Sequence, residues 1–226
     1  MNFKERAGEA ALEYIRSGMN VGLGTGSTAR YFIEALGREV KSGRFKNLRC
    51  VPTSIASEKL GRKLGLKIVK LAEVGHVDVT VDGADEVTPR LDLIKGLGGA
   101  LLREKIVAQN TRKLIIIVDE SKRVKKLGTR SPLPVEVVTY AHETQVPFMK
   151  SLGGKPVLRK DSAGRIFVTD NDNYIYDCWF AGGIKSPARL SDQFAERAGI
   201  VETGLFLNMA RVALIAGENG IKVIRK

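Results

Sequence analysis

Four short clusters carry residue types that do chemistry. The first is Gly22-Leu23-Gly24-Thr25-Gly26-Ser27-Thr28, between a predicted strand and a predicted helix. Glycines there let the backbone approach a ligand and adopt positive φ. The start of the following helix offers free N–H groups and the positive end of a dipole, which suit a phosphate. Ser27 and Thr28 add hydroxyl donors. The second is Val79-Thr80-Val81-Asp82-Gly83-Ala84-Asp85-Glu86, three acids directly after a buried strand. Carboxylates placed there bind sugar hydroxyls, shuttle protons or hold a metal. The third is Lys95-Gly96-Leu97-Gly98-Gly99-Ala100, leading into Leu101-Leu102-Arg103-Glu104. Lys95 can stabilise a developing oxyanion and Glu104 can take a proton. The fourth is Asp119-Glu120-Ser121-Lys122, at the exit of the apolar run Leu114–Val118.

Each cluster has a plain reading of its own: a tight turn, an acidic turn, a paired surface acid, a strand exit. Together they form an inventory of phosphate loop, carboxylates, lysine and base. No Cys or Ser is paired with a His as a nucleophile, and neither His76 nor His142 has ligand-like spacing. The inventory points to proton transfer beside a carbonyl, with no metal. Two nucleotide loops are excluded. A Walker A loop needs Lys before the Ser/Thr, where Gly26 stands. A dinucleotide fingerprint needs an acid at the end of the second strand, and Cys50-Val51-Pro52-Thr53-Ser54 has none.

The elements that must position these clusters follow from periodicity. Residues 4–17 read as an amphipathic helix, 20–23 as a strand, and Ser27–Leu36 as a helix capped by Ser27. Leu48–Pro52 is a strand, and Ser54–Leu64 a helix capped by Thr53 or Ser54. Lys67–Val69, Val77–Val81 and Leu114–Val118 are strands, with a helix at Gly99–Asn110. This alternation means parallel βαβ units, so the clusters sit at strand ends where they can share one crevice. After Arg130 prolines multiply. Arg165–Thr169 and Tyr174–Phe180 flank Asp170-Asn171-Asp172-Asn173 and read as a hairpin, and Pro187–Ala198 as a helix. Arg211–Ala216 and Ile221–Ile224 are strands expected to rejoin the first sheet. The expected fold is α/β: a Rossmann-like, mostly parallel sheet domain over 1–128 plus 199–226, and a smaller α+β domain over 129–198.

Composition narrows the partners. The 226 residues are 43% hydrophobic and 27% charged, ordinary for a globular protein. Glu5, Glu9 and Glu13 interrupt the N-terminal stretch, so no signal-peptide core is read. No apolar run approaches the ~20 residues that span a bilayer. Two distant cysteines, Cys50 and Cys178, read as reduced packed thiols of a cytoplasmic protein. The net charge is +12, with nine Lys/Arg against one acid over 41–70. Aromatics are only 6%, and no nucleic-acid module is visible, which favours a phosphorylated small molecule over nucleic acid. A non-catalytic sugar-phosphate sensor is the other alternative. It would need no base such as Glu104 and would normally carry a DNA-binding module.

The sequence resembles ribose-5-phosphate isomerase of type A along nearly its whole length. The resemblance rests on GLGTGST, VDGADE, the lysine–glycine loop running into REK, and DESK, in this order. SPLPVEVV at 131–138, LGGKP at 152–156, VTDNDNYIYD at 168–177 and VETGLF at 201–206 agree with it. It implies aldose–ketose isomerisation without a cofactor, in a homodimer or homotetramer with no nucleic-acid or membrane partner. It maps substrate binding onto Thr25, Gly26, Ser27 and Thr28, onto Asp82, Gly83, Ala84 and Asp85, onto Lys95, Gly96, Leu97 and Gly98, and onto Lys122. It makes Glu104 the catalytic base, with Asp82, Asp85 and Lys95 assisting, and sets Lys4 near the phosphate. The smaller domain is expected to act as a lid or in oligomerisation. One feature departs from the family: Leu97 interrupts a run that is usually all glycine. Leucine is strained at positive φ, so either position 97 does not need that conformation or the loop differs in shape.

Overall fold

The structure, a computed structural model, describes residues 2–226. The chain divides into two compact units, residues 1–84, 103–123 and 208–226, and residues 85–102 and 124–207. Segment 85–102, which the sequence groups with the α/β domain, clusters with the second unit, as does 199–207.

The first unit is built on a six-stranded sheet ordered β13-β12-β6-β3-β1-β2. Its strands are β1 (Asn20–Leu23), β2 (Arg49–Pro52), β3 (Val77–Asp82), β6 (Thr111–Asp119), β12 (Ala210–Gly217) and β13 (Gly220–Arg225). All neighbours are parallel except β12 and β13, which form an antiparallel hairpin at the edge. Parallel strands are covered on both faces and so read as continuous apolar runs. Leu114–Val118 and the four residues of β1 are all buried. β6 begins three residues before its apolar run, because Thr111 and Lys113 pair with Val77 and Val79 of β3.

The helices of this unit are α1 (Phe3–Ala10), α2 (Ser27–Lys41), α3 (Ile55–Lys63), α4 (Leu71–Val74) and most of α5 (Leu101–Gln109). α2 buries Ala29, Phe32, Ile33 and Leu36, the spacing of one helical face. α3 starts on Ser54, whose hydroxyl accepts the Ser57 amide in a capping box. Lys67–Val69 makes only a single parallel bridge, Ile68 to Cys50, before the chain turns into α4.

The second unit holds a four-stranded antiparallel sheet, β10-β7-β9-β8, and a small sheet, β11-β5-β4. The strands are β4 (Glu86–Val87), β5 (Leu93–Ile94), β7 (Leu133–Val137), β8 (Gly154–Leu158), β9 (Tyr174–Phe180), β10 (Ile200–Thr203) and β11 (Leu205–Phe206). Helices α6 (Gln145–Ser151) and α7 (Pro187–Ala195) complete it. The expected hairpin of Arg165–Thr169 with β9 does not form. β9 pairs with β7 on one side and β8 on the other, leaving no edge for a third strand. The turn chemistry is present nonetheless: the Thr169 amide donates to Asn173 O at 2.9 Å, with Asp172 at φ 60°.

No helix among the described residues is long and apolar enough to cross a membrane. Cys50 and Cys178 are both buried and unbridged. Burial pushes the Cys50 thiol up to about 12. Burial, helped by the Asp177 charge, does the same for Cys178, to about 12. Since the thiolate is the reactive form, the folded chain should give no reaction with a disulfide-exchange reagent at mildly alkaline pH. The denatured chain should release two equivalents, and rapid labelling before denaturation would contradict the packing.

Candidate active site

In the first unit the clusters gather at the carboxyl ends of adjacent parallel strands. Leu23, the last residue of β1, is level with Pro52 of β2 and Val81 of β3. The loops after β1, β2 and β3 therefore start side by side, and β6 ends next to β3. Asp82 is buried, and its Oδ1 accepts the Thr25 amide at 3.0 Å and the Gly83 amide at 2.7 Å. One carboxylate oxygen thus ties the β1 loop to the β3 loop. Glycine is required at 24, because a Cβ there would lie 2.3 Å from Asp82 Oδ1.

The expected cap at Ser27 is replaced by Gly26, at φ 100° and ψ 179°, and no side chain caps α2. Ser27 is the first helical residue, and its Oγ accepts from Lys4 Nζ at 2.9 Å. A side-chain cap would consume an amide at the helix start. Without one, the N-terminus of this 15-residue helix keeps its donors, beside an ammonium and the half-exposed Thr28. Thr25 turns away from this group. Its Oγ1 lies 2.8 Å from both Thr53 Oγ1 and Ser54 Oγ, the latter the cap of α3. Thr53 in turn donates to Leu23 O at 2.9 Å, and Ser54 Oγ to Ser57 Oγ at 3.1 Å. In sequence Thr53 and Ser54 read only as caps; their bonds to Thr25 cross 28 and 29 positions and leave no local pattern.

Gly83 and Ala84 continue the β3 exit, half-exposed. Lys122, also half-exposed, ends a single 3-10 turn at the end of β6, where Asp119 accepts the Ser121 amide at 2.9 Å. Glu104 lies in the first turn of α5 and is only 5% exposed. That burial separates it from an ordinary surface helix acid.

The second unit holds the third cluster, which does not follow a strand of the parallel sheet. Lys95 follows β5, and its amide donates to Gly204 O at 2.9 Å. Lys95 is 2% exposed, with Nζ 5.4 Å from the Phe206 ring centroid, within cation–π range. Positive φ falls on Gly96 (101°) and Gly99 (81°), and Leu97 is not among the positive-φ residues. The leucine therefore occupies a position that needs no glycine, and the loop keeps its turn. The Leu97 amide donates to Asp85 Oδ2 at 3.0 Å, while Gly98 is exposed. Glu86, grouped with Asp82 and Asp85 in sequence, is completely buried. Its carboxylate accepts the amides of Gly128, Arg130 and Ser131 at 2.6–2.8 Å, which makes it an anchor for that loop.

A family model described as ribose 5-phosphate isomerase A (phosphoriboisomerase A) matches residues 49–220. The chain belongs to that family. Ribose-5-phosphate isomerase A of Desulfatibacillum aliphaticivorans is 48% identical over 222 residues, covering 98% of this chain and 96% of that one. The same-named protein of Roseiflexus castenholzii is 48% identical over 219 residues, 97% of this chain and 93% of its own. Among solved members of the family, the Plasmodium falciparum enzyme superposes with a TM-score of 0.96 at 38% identity, covering 99% of this chain and 98% of that one. A D-ribose-5-phosphate isomerase solved in complex with phospho-erythronic acid gives 0.96 at 35% identity, over 100% of both chains. Family and fold are thus shared from end to end.

Proposed function

We infer that this chain interconverts ribose 5-phosphate and ribulose 5-phosphate as an aldose–ketose isomerase working through an enediolate. The observation that carries this is family membership over 98% of the chain, joined by a glycine-rich loop at an uncapped helix start and by the buried side chains of Glu104 and Lys95. The phospho-erythronic acid bound in the related structure supports it. A phosphorylated sugar acid presents a planar, negatively charged carboxylate whose two oxygens stand in for the pair that an enediolate carries on adjacent carbons.

On this reading Glu104 takes the proton from C2 of the aldose and returns it to C1. The Lys95 ammonium stabilises charge developing on oxygen, and Asp82 and Asp85 orient hydroxyls and assist ring opening. The amides at the start of α2, with Ser27, Thr28, Lys4 and Lys122, hold the phosphate. The reading also includes a homodimer or homotetramer in the cytoplasm, with subunit contacts supplied by the smaller domain, and light scattering tests the assembly.

The deciding experiment mixes the chain with ribose 5-phosphate and follows ketose appearance. Among the described residues no group of three or more His, Cys, Asp or Glu is arranged to hold a metal. Turnover should therefore survive exhaustive chelation. Loss on chelation, reversed by a divalent ion, would mean that a metal takes part.

Unphosphorylated ribose should be a poor substrate, with kcat/KM lower by ~10²-fold or more, because remote binding energy is used at the reacting carbons. Comparable values for the two sugars would remove the phosphate site from the start of α2.

A further inference from the structure

We propose that Arg159, locked by Asp177, is a positioning residue that sets the shape of the Lys95–Gly99 loop. The roles of Lys95 and Asp85 in this proposal rest on the function inferred above. Arg159 follows β8, and its backbone amide donates to Ile175 O of β9 at 2.8 Å. Four of its five N–H donors have named partners. Nε donates to Asp177 Oδ2 at 2.9 Å and Nη2 to Asp177 Oδ1 at 2.5 Å. Nη1 donates to Gly96 O at 2.9 Å and Leu97 O at 3.1 Å. The side chain is only 9% exposed, unlike the surface ion pairs of this chain such as Arg62–Glu58 at 61%.

Two consequences follow for the loop. Its carbonyl dipoles point at a fixed cation, so they cannot turn toward the negative charge of an enediolate. With those carbonyls fixed, the Leu97 amide is held where it meets Asp85 Oδ2. Asp177, Arg159, Leu97 and Asp85 thus form one line of hydrogen bonds, from the rigid sheet to a carboxylate proposed to act on substrate. Phe167 closes the remaining side. Its ring is 5.7 Å from Arg159 Cζ and lies where a Cβ on Gly99 would be only 2.4 Å away. Lysine cannot replace the fork, because one ammonium does not span a carboxylate and two carbonyls in a plane.

The test compares kcat, KM and melting temperature of the full chain with those of Arg159→Ala, Arg159→Lys and Asp177→Asn, alongside amide exchange at Leu97. Arg159→Ala should lose ~10²-fold in kcat, the scale of an ångström-sized misplacement, with KM changed by less than about threefold. Asp177→Asn and Arg159→Lys should each lose roughly tenfold, and methylguanidinium should restore part of the Arg159→Ala rate. Leu97 amide exchange should accelerate by about tenfold or more in both arginine variants. Full kcat in Arg159→Lys with unchanged exchange overturns the proposal, as does a rise in KM at constant kcat. If Arg159→Ala does not fold, the lysine and asparagine variants decide on the same criteria. A wild-type chain that fails to turn over ribose 5-phosphate overturns the inferred function instead, and the exchange measurement, which needs no substrate, still decides the clamp.

Discussion

Glu104→Gln should reduce kcat by ~10²-fold or more while leaving substrate binding nearly unchanged, the scale of general-base catalysis. The amide keeps the size of the side chain and much of its hydrogen bonding, so the first turn of α5 has no reason to unravel. What it loses is the capacity to accept a proton from carbon. Binding should persist because the start of α2 and Asp82 lie on other elements, β1–α2 and β3. Glu104→Asp retracts the carboxylate by one methylene and should fall between wild type and Gln. In heavy water the wild-type enzyme should place solvent deuterium on the product carbon, at least in part. The Gln variant should lose exchange and turnover together. Near-normal turnover in Glu104→Gln would send the search for the base to Asp82 or Asp85.

Lys95→Ala should lower kcat by ~10²–10³-fold, comparable to removing a preorganised donor from an oxyanion site, with a smaller effect on KM. On the proposed mechanism the ammonium acts on charge that exists only as the enediolate forms. Burial strengthens this effect, because a cation 2% exposed is poorly screened by water. Removing a buried charge leaves its partners uncompensated and can destabilise the fold, so the melting temperature of the variant is measured beside its kcat. A KM increase at unchanged kcat would recast Lys95 as an anchor for a ground-state oxygen.

The parts of this site legible in the sequence are those built on the parallel sheet. β1, β3 and the centre of β6 are buried on both faces, so their runs end abruptly in glycine or aspartate, and the exits are plain. The strands of the small sheet are hidden in the sequence for a different reason. β4, β5 and β11 have two residues each, too few for any period to show. β7 carries Pro134, which argues against a central strand. The sheet tolerates it because pairing with β10 stops one residue earlier, at Val135. Arg165–Thr169 misled in the opposite direction, since its strand-like pattern depends on an edge that other strands already fill. The Arg159–Asp177 pair, and the line from it to Asp85, is built of contacts between positions 12 to 63 apart. No local spacing reports such contacts; they exist only once the sheet has formed.

The hydroxyls beneath the loop that follows β1 can also be counted as protons. Thr25, Thr53, Ser54 and Ser57 own four. Five contacts draw on them: Thr25 with Thr53, Thr25 with Ser54, Thr53 with Leu23 O, Ser54 with Ser57, and Ser57 with Ser54 O. Supply falls one short of demand, so the Thr25 hydroxyl proton is claimed from below, and with its amide given to Asp82 Oδ1 the residue has no donor left for an arriving phosphate. Thr25→Val should then disturb the seating of α3 on the β1 loop before it weakens any bond to the ligand. Thr25→Ser, which keeps the proton, should pass almost unnoticed.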